Sequence, residues 1–263
     1  MPVSEQRRIA DFLDDRVARV DQAVTARQKQ TRSLRSALQL AVDEAMAHMN
    51  ARVRASRVTG ILPGYAFESS AYSGDPLQTP LLRGVNVGVG ELRWDDAVYW
   101  PNDRLSEVSR FQLNPGDVVL GMDRPWIGAG LRIAQIPEGQ HPLILQRVAK
   151  FEPRREVLAE YLFWAYQESA FRHEIESSLT GLSVPHLSGD QILQHHLAFG
   201  GLEAQRRTVR RLGEIREQVQ EGRRTLSRSI ELLGEYKQSL ITAAVTGEFD
   251  VTTASTRIPG EQA

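Results

Sequence analysis

Two stretches of this chain carry apolar residues at intervals of seven, and the stretch between them does not. From Gln6 onward, Leu13, Val20, Arg27, Leu34 and Ala41 form one heptad series, and Val17, Val24, Thr31, Leu38 and Ala45 form a companion four places on. Such a pattern predicts a long helix with a narrow apolar seam. Near the other end Leu212, Val219, Leu226, Leu233 and Leu240 repeat the first series, with Ile230 and Ala244 in the second. Each stands at the same offset from its counterpart as Gln205 does from Gln6, where both helices open on Gln-Arg-Arg. The repeat therefore preserves heptad phase as well as the opening signal.

Helices of roughly 40 residues would be about 60 Å long. With so thin a stripe neither is stable alone, so each must pair with the other or with another chain. Arg27 interrupts the first seam, and Arg216, Arg223 and Lys237 the second. The expectation is that their charged ends reach past the seam into water.

Between the helices the rhythm changes to short apolar runs punctuated by Gly and Pro. Asn114-Pro115-Gly116-Asp117 reads as a turn, with a buried strand at VVLGM after it. LAEYLFWAYQESAFRHEIESS predicts one helix whose face holds Leu158, Tyr161, Leu162, Ala165, Tyr166 and Ser169. A Gly-containing loop and a short helix with Ser188 as its N-cap follow. The expected fold is α+β: a mixed, mainly β domain between two long antiparallel coiled-coil helices. Its expected divisions are a helix over 1–56, a domain over 57–200, a helix over 201–250 and a flexible tail over 251–263.

Composition narrows the chemistry. The 263 residues are 41% hydrophobic and 25% charged, as in an ordinary globular protein. No apolar run approaches a membrane span, and MPVSEQRRIADF lacks a secretory core, so a cytoplasmic location is expected. There is no cysteine, which excludes disulfides, thiol nucleophiles and cysteine zinc sites. His195 and His196 adjoin and cannot face one site together, so a satisfied or solvent-facing role is expected of them. Gly84, Gly88 and Gly90, and Gly128 and Gly130, lack the spacing of a dinucleotide fingerprint and read better as tight turns or close packing. Asp117 and Asp123 are too isolated to suggest a metal-dependent nuclease. A net charge of −1 argues against an autonomous nucleic-acid binder while leaving room for a local basic patch.

Several segments together resemble the specificity (S) subunit of type I restriction-modification systems. They are LLRGVNV (81–87), LNPGDVVLGM (113–122), WIGAGLRIA (126–134), LTGLSVPHLS (179–188), EQRRIADFLDDRVARVD (5–21) and LGEYKQSLITAAVTGEFD (233–250). In that family a target recognition domain is followed by a long conserved-region helix, and the unit occurs twice. This chain starts at the helix where a full subunit would have a first recognition domain, so it resembles half a subunit. Its second Gln-Arg-Arg follows AFGGLEA, without the prolines that family tends to place there.

The resemblance implies a non-catalytic subunit that reads one half of a split double-stranded DNA site. It implies helices that set half-site spacing and docking of methyltransferase subunits, which would carry S-adenosylmethionine; the chain itself needs no cofactor. A restriction subunit, and a second copy or a separate N-terminal half, are further implied partners. No Asn/Asp-Pro-Pro-Tyr/Phe, the motif with which adenine methyltransferases hold a flipped base, is present. The alternative is a coiled-coil scaffold whose globular insert binds protein.

Direct readout favours Arg on guanine and Asn or Gln on adenine, with hydroxyls on phosphates. The candidates in loop-like surroundings are Arg83, Asn86, Arg93, Arg124, Trp126, Arg132, Gln146, Arg147, Thr180, Ser183 and His186. Arg124-Pro125-Trp126, a cation and an aromatic on a rigid tip after a buried strand, is the foremost of them.

Overall fold

In a computed structural model, residues 3–128, 130–178 and 186–246 are described. The chain runs α1 (Val3–Ala47), β1 (Ala51–Arg54), β2 (Thr59–Pro63), β3 (Thr79–Leu82), β4 (Val98–Trp100), α2 (Leu105–Val108) and β5 (Val118–Gly121). It continues through β6 (Trp126–Ile127), β7 (Gly130–Leu131), β8 (Ile133–Gln135), β9 (Leu143–Ile144) and β10 (Val148–Pro153). Last come α3 (Ala159–Ala165), α4 (Ser169–Ser178), α5 (Gly189–Gln194), β11 (His196–Phe199) and α6 (Leu202–Thr246). The chain divides into two compact units: residues 1–38 with 215–263, and residues 39–214. Each long helix contributes to both.

In the first unit the helices meet antiparallel. Lys237 Nζ donates to both carboxylate oxygens of Asp21, at 2.7 and 2.8 Å. Further along, a methyl group placed on Gly222 would lie 3.0 Å from Leu34 Cδ1. A later residue of α1 thus meets an earlier one of α6. The sheltered positions of α1 in this unit include Leu13, Val17, Val20, Val24, Leu34 and Leu38, and those of α6 include Val219, Leu226, Leu233 and Leu240. Lys237 does not end in water as expected but on Asp21, across the seam within the same chain. At such exposure the pair adds little stability, and it favours this register over its slips.

The second unit is built on a four-stranded antiparallel sheet of order β2-β10-β5-β8 beside a three-stranded sheet β4-β3-β9, in which β3 and β9 run parallel. β5 lies between two strands and under helix α3, which is why Val118, Val119, Leu120 and Gly121 are buried without alternation. Leu62, Leu82, Val119, Ile144 and Val148 form the main core, and Phe67, Leu81, Trp100, Val108 and Leu143 a second. The Asn114–Asp117 turn that feeds β5 is closed at both ends: Asp117 N donates to Asn114 O, and Asn114 N to Asp117 Oδ2 at 2.8 Å.

The ends of this unit are joined. α1 stops at Ala47, earlier than the expected boundary at residue 56, because the next residues pair as β1 with β11, Ala51 opposite Phe199 and Arg54 opposite His196. Arg52 reaches from this ribbon to the buried carboxylate of Glu168, its Nη1 donating at 2.7 Å. Gln205, fully buried, fastens the start of α6. Its amide donates to Glu156 O at 2.9 Å and Gly200 O at 2.8 Å, and its oxygen accepts from Leu158 N at 3.0 Å.

The single helix expected over 158–178 is two. Asp43 of α1 accepts from both Ser169 N (2.8 Å) and Ser169 Oγ (2.7 Å), capping a new helix start, while Gln39 donates to Gln167 O. A distant carboxylate thus begins α4 where the local pattern would run on. The first of the pair, α3, is also buried beyond one face: Tyr161, Leu162, Phe163, Trp164, Ala165 and Tyr166 all lose solvent, with Tyr166 stacked on Phe151 at 4.6 Å. Among the described residues no helix is long and apolar enough to cross a membrane. The tail over 251–263 lies outside the described residues.

The adjoining histidines take opposite roles. His196 is exposed, whereas His195 is buried against Phe171 and Tyr166, its Nδ1 on Glu174 and its Nε2 without a hydrogen-bond partner among the described residues. Burial holds its imidazole below the ordinary 6.5, outweighing the raising effect of Glu174.

Two outcomes follow from these buried groups. Gln205→Ala should lower unfolding free energy by about 2–3 kcal/mol, because a buried N–H and two carbonyls lose their partner. Its repeat counterpart Gln6, exposed at the start of α1, should change by no more than about 0.5 kcal/mol in Gln6→Ala; urea titration measures both. With the folded-state pKa of His195 depressed, the unfolded chain takes the proton more readily. Stability should be full above about pH 6.5 and fall as pH drops toward the folded value, and His195→Gln should flatten that fall in melts from pH 8 to about 5.

Candidate nucleic-acid interface

One region of the second unit gathers most of the described candidates. It is built from the loop over 83–93, the segment after β5 that carries the β6–β7 hairpin, the turn over 145–147, and His186. Asn86 ties the first loop to itself: its oxygen accepts from Arg83 N at 3.1 Å and its Nδ2 donates to Arg93 O at 2.8 Å. Arg132 then ties loop to hairpin. Its Nε donates to Val87 O (3.0 Å), its Nη2 to Gly84 O (2.6 Å) and its Nη1 to Asp123 O (3.2 Å). Asn86 and Arg132, expected as exposed loop residues, are instead buried, and their side chains hydrogen-bond to the protein's own backbone, where they position the loops.

Two glycines in these loops are required by geometry. Gly128 holds φ at +58 in the hairpin turn, and a Cβ on Gly130 would stand 2.4 Å from Val89 Cγ1. Only glycine lets Val89 lie that close to the hairpin backbone.

Exposed side chains cover this framework. Arg93, Arg124, Gln146 and Arg147 are exposed and Arg83 is half-buried, donating to Asp96 O. Arg93 pairs with Glu91 at 2.9 Å. Arg124 and Arg147 both hold a positive φ, 45° and 72°. Non-glycine residues in that conformation are uncommon and cost on the order of 1–3 kcal/mol, which the surrounding bonds must offset. Met122 N donates to Arg147 O, and Leu187 N to Met122 O, each at 2.8 Å, so both arginines sit beside one backbone junction. Burial lowers the Arg132 pKa, and the neighbouring charges of Arg93 and Arg124 lower it further, so three cations converge here.

His186 faces Asp123, its Nδ1 2.7 Å from Oδ1, and Arg147 Nη1 lies 3.3 and 3.4 Å from the two ring nitrogens. Arg147 Nε is 3.8 Å from the same carboxylate. Asp123, which sequence reasoning weighed only as a nuclease carboxylate, is the group that steadies both. Trp126 is turned the other way, packed near Phe171 at 6.1 Å with the Arg172 guanidinium 5.9 Å from its ring. It anchors the hairpin. Thr180 and Ser183 lie outside the described residues.

The arrangement is a rigid, cationic tip on a β domain. It holds guanidinium donors on loops that the protein's own hydrogen bonds tie down. Among the described residues no three His, Asp or Glu side chains are grouped to hold a metal ion.

The curated relatives that this chain matches carry one description. They are specificity subunits of type I restriction enzymes. The chain is 36% identical over 142 residues to the EcoAI specificity subunit of Escherichia coli, covering 53% of this chain and 23% of that one. It is 26% identical over 201 residues to the MjaVIII specificity subunit of Methanocaldococcus jannaschii, covering 76% and 46%. The chain thus spans less than half the length of these curated relatives. No protein-family model matches it.

Among solved structures, the fold matches a chain from a type I restriction-modification system described for its complex assembly and conformational transition. The TM-score is 0.71 at 21% identity, over 95% of this chain and 61% of that one. It also matches the HsdS subunit of Thermoanaerobacter tengcongensis, with a TM-score of 0.54 at 22% identity, over 94% and 60%. These likenesses establish the fold.

If Arg132 is a strut, Arg132→Met should lower stability by about 2–3 kcal/mol, since three carbonyls lose a charged donor. Arg124→Ala should stay within about 0.5 kcal/mol of the parent. Urea unfolding of the two variants separates the buried framework from the exposed surface.

Proposed function

We propose that this chain is a DNA-recognition subunit of a type I restriction-modification complex and that it reads one half of a split target. The observation that carries the reading is the cationic tip, where Arg93, Arg124 and Arg147 stand exposed on loops that Asn86, Arg132 and Asp123 hold in place. Arginines fixed in this way can donate to guanine edges or phosphates without paying to order their loops on binding. Reading, in this view, is all the chain does chemically. Transfer of a methyl group from S-adenosylmethionine belongs to methyltransferase subunits docked on the helices, and cleavage to a restriction subunit.

The long helices fit a spacer role. At 45 residues each, they are about 68 Å long, a length of many base pairs at ~3.4 Å per step. A second copy, or a separate half-subunit, would supply the other recognition domain. On this reading the recognition domain is the segment expected over 57–200, extended to take in β1 at Ala51–Arg54, and it lies between α1 and α6; the complex works in the cytoplasm, where the chromosome is. A net charge of −1 fits a subunit whose partners carry much of the phosphate-binding charge.

The test is to produce the full chain with the methyltransferase subunit of its own operon and select targets from a randomised duplex pool. A split or palindromic site should emerge. Its binding should fall steeply with salt, and Arg93→Ala or Arg124→Ala should each reduce the slope of log K against log salt by about 1. Absence of any selected site, or of a stable complex, overturns the proposal.

A further inference from the structure

The cationic tip also carries apolar side chains in water. Ile127 is 42% exposed, Val89 37% and Val85 61%. Ile127 and Val89 are neighbours by construction: Ile127 pairs with Gly130 across the hairpin, and the Val89 side chain lies on the Gly130 backbone. Strand alternation explains the direction. Trp126 faces Phe171, so the next residue, Ile127, points to the opposite side of the ribbon. The hairpin is braced from beneath, where Arg172 Nη1 donates to Gly128 O at 3.3 Å and Arg132 N to Pro125 O at 2.7 Å. A β-branched pair on a braced ribbon, with Arg93 and Arg124 close by, has no part in either core cluster.

Two-stranded ribbons fit the major groove of B-form DNA, and thymine alone offers a methyl group there. Resting on the recognition reading above, we propose that Ile127, supported by Val89, reads a thymine by packing on its 5-methyl group. The flanking arginines bring the ribbon to the phosphates and bases. The apolar pair then discriminates thymine from cytosine without a hydrogen bond.

The probe is the selected duplex with each thymine of the half-site replaced in turn by deoxyuridine, which removes the methyl and keeps the pairing. At one position the parent complex should lose about three- to fivefold in affinity, the worth of one buried methyl. Ile127→Ala should bind the thymine duplex weaker by a similar factor and be indifferent to uracil at that position alone. A half-site without thymine overturns the proposal. So does a parent complex indifferent to uracil throughout, or an Ile127→Ala complex that still discriminates. Weakened methyltransferase association in that variant with uracil discrimination intact would assign the apolar pair to a protein contact, which also overturns it. Because the parent must select a site before uracil is introduced, failure of the recognition reading appears earlier and separately.

Discussion

A guanidinium held by three backbone carbonyls is what the arginine-bearing loops depend on. Arg132 is buried, and it joins two loops that would otherwise be separate turns. Carbonyls are suited to this task because each takes a donor without adding a negative charge. A carboxylate in their place would cancel the positive field that the exposed arginines project. The framework therefore fixes the loops while leaving the tip cationic, and its own charge adds to the field. Asp123 and Glu91 are local exceptions, and their carboxylates are occupied, the first by His186 and Arg147 and the second by Arg93.

A similar economy joins the domain to its helices. The β1–β11 ribbon closes the ends of the globular unit on each other, and Gln205 hydrogen-bonds three separate backbone groups at the start of α6. The repeated Gln-Arg-Arg thus has unlike surroundings at its two sites: in the second copy the glutamine is fully buried, in the first it is exposed. Local sequence sets the helix, and burial decides what the glutamine does.

The long helices were legible because a heptad is a local signal that survives any tertiary arrangement, and the buried strand after Asn114–Asp117 because a turn and an apolar run suffice for it. What escaped were features made by distant partners. Nothing near Ser169 announces that Asp43 will cap a helix there, and nothing in ARVR or HLAF shows that the two will pair. The candidate site divides in the same way. Composition can nominate an arginine or asparagine in a loop, but only the fold tells one that turns inward, such as Arg132 or Asn86, from one that faces water, such as Arg124. Ile127 and Val89 were passed over because an isolated aliphatic residue in a Gly-rich run reads as ordinary strand; its exposure is visible only when Trp126 is seen to face inward.

The left-handed backbone at Arg124 and Arg147 bears on how such a surface can change over generations. Glycine, asparagine and aspartate enter that conformation with little strain, and unbranched side chains do so at moderate cost. Valine, isoleucine and threonine are nearly barred. Mutation at these two sites can therefore exchange one polar side chain for another, or remove it with glycine, while the loop keeps its path. The backbone acts as a filter on the alphabet this surface can draw on, set before any partner is encountered.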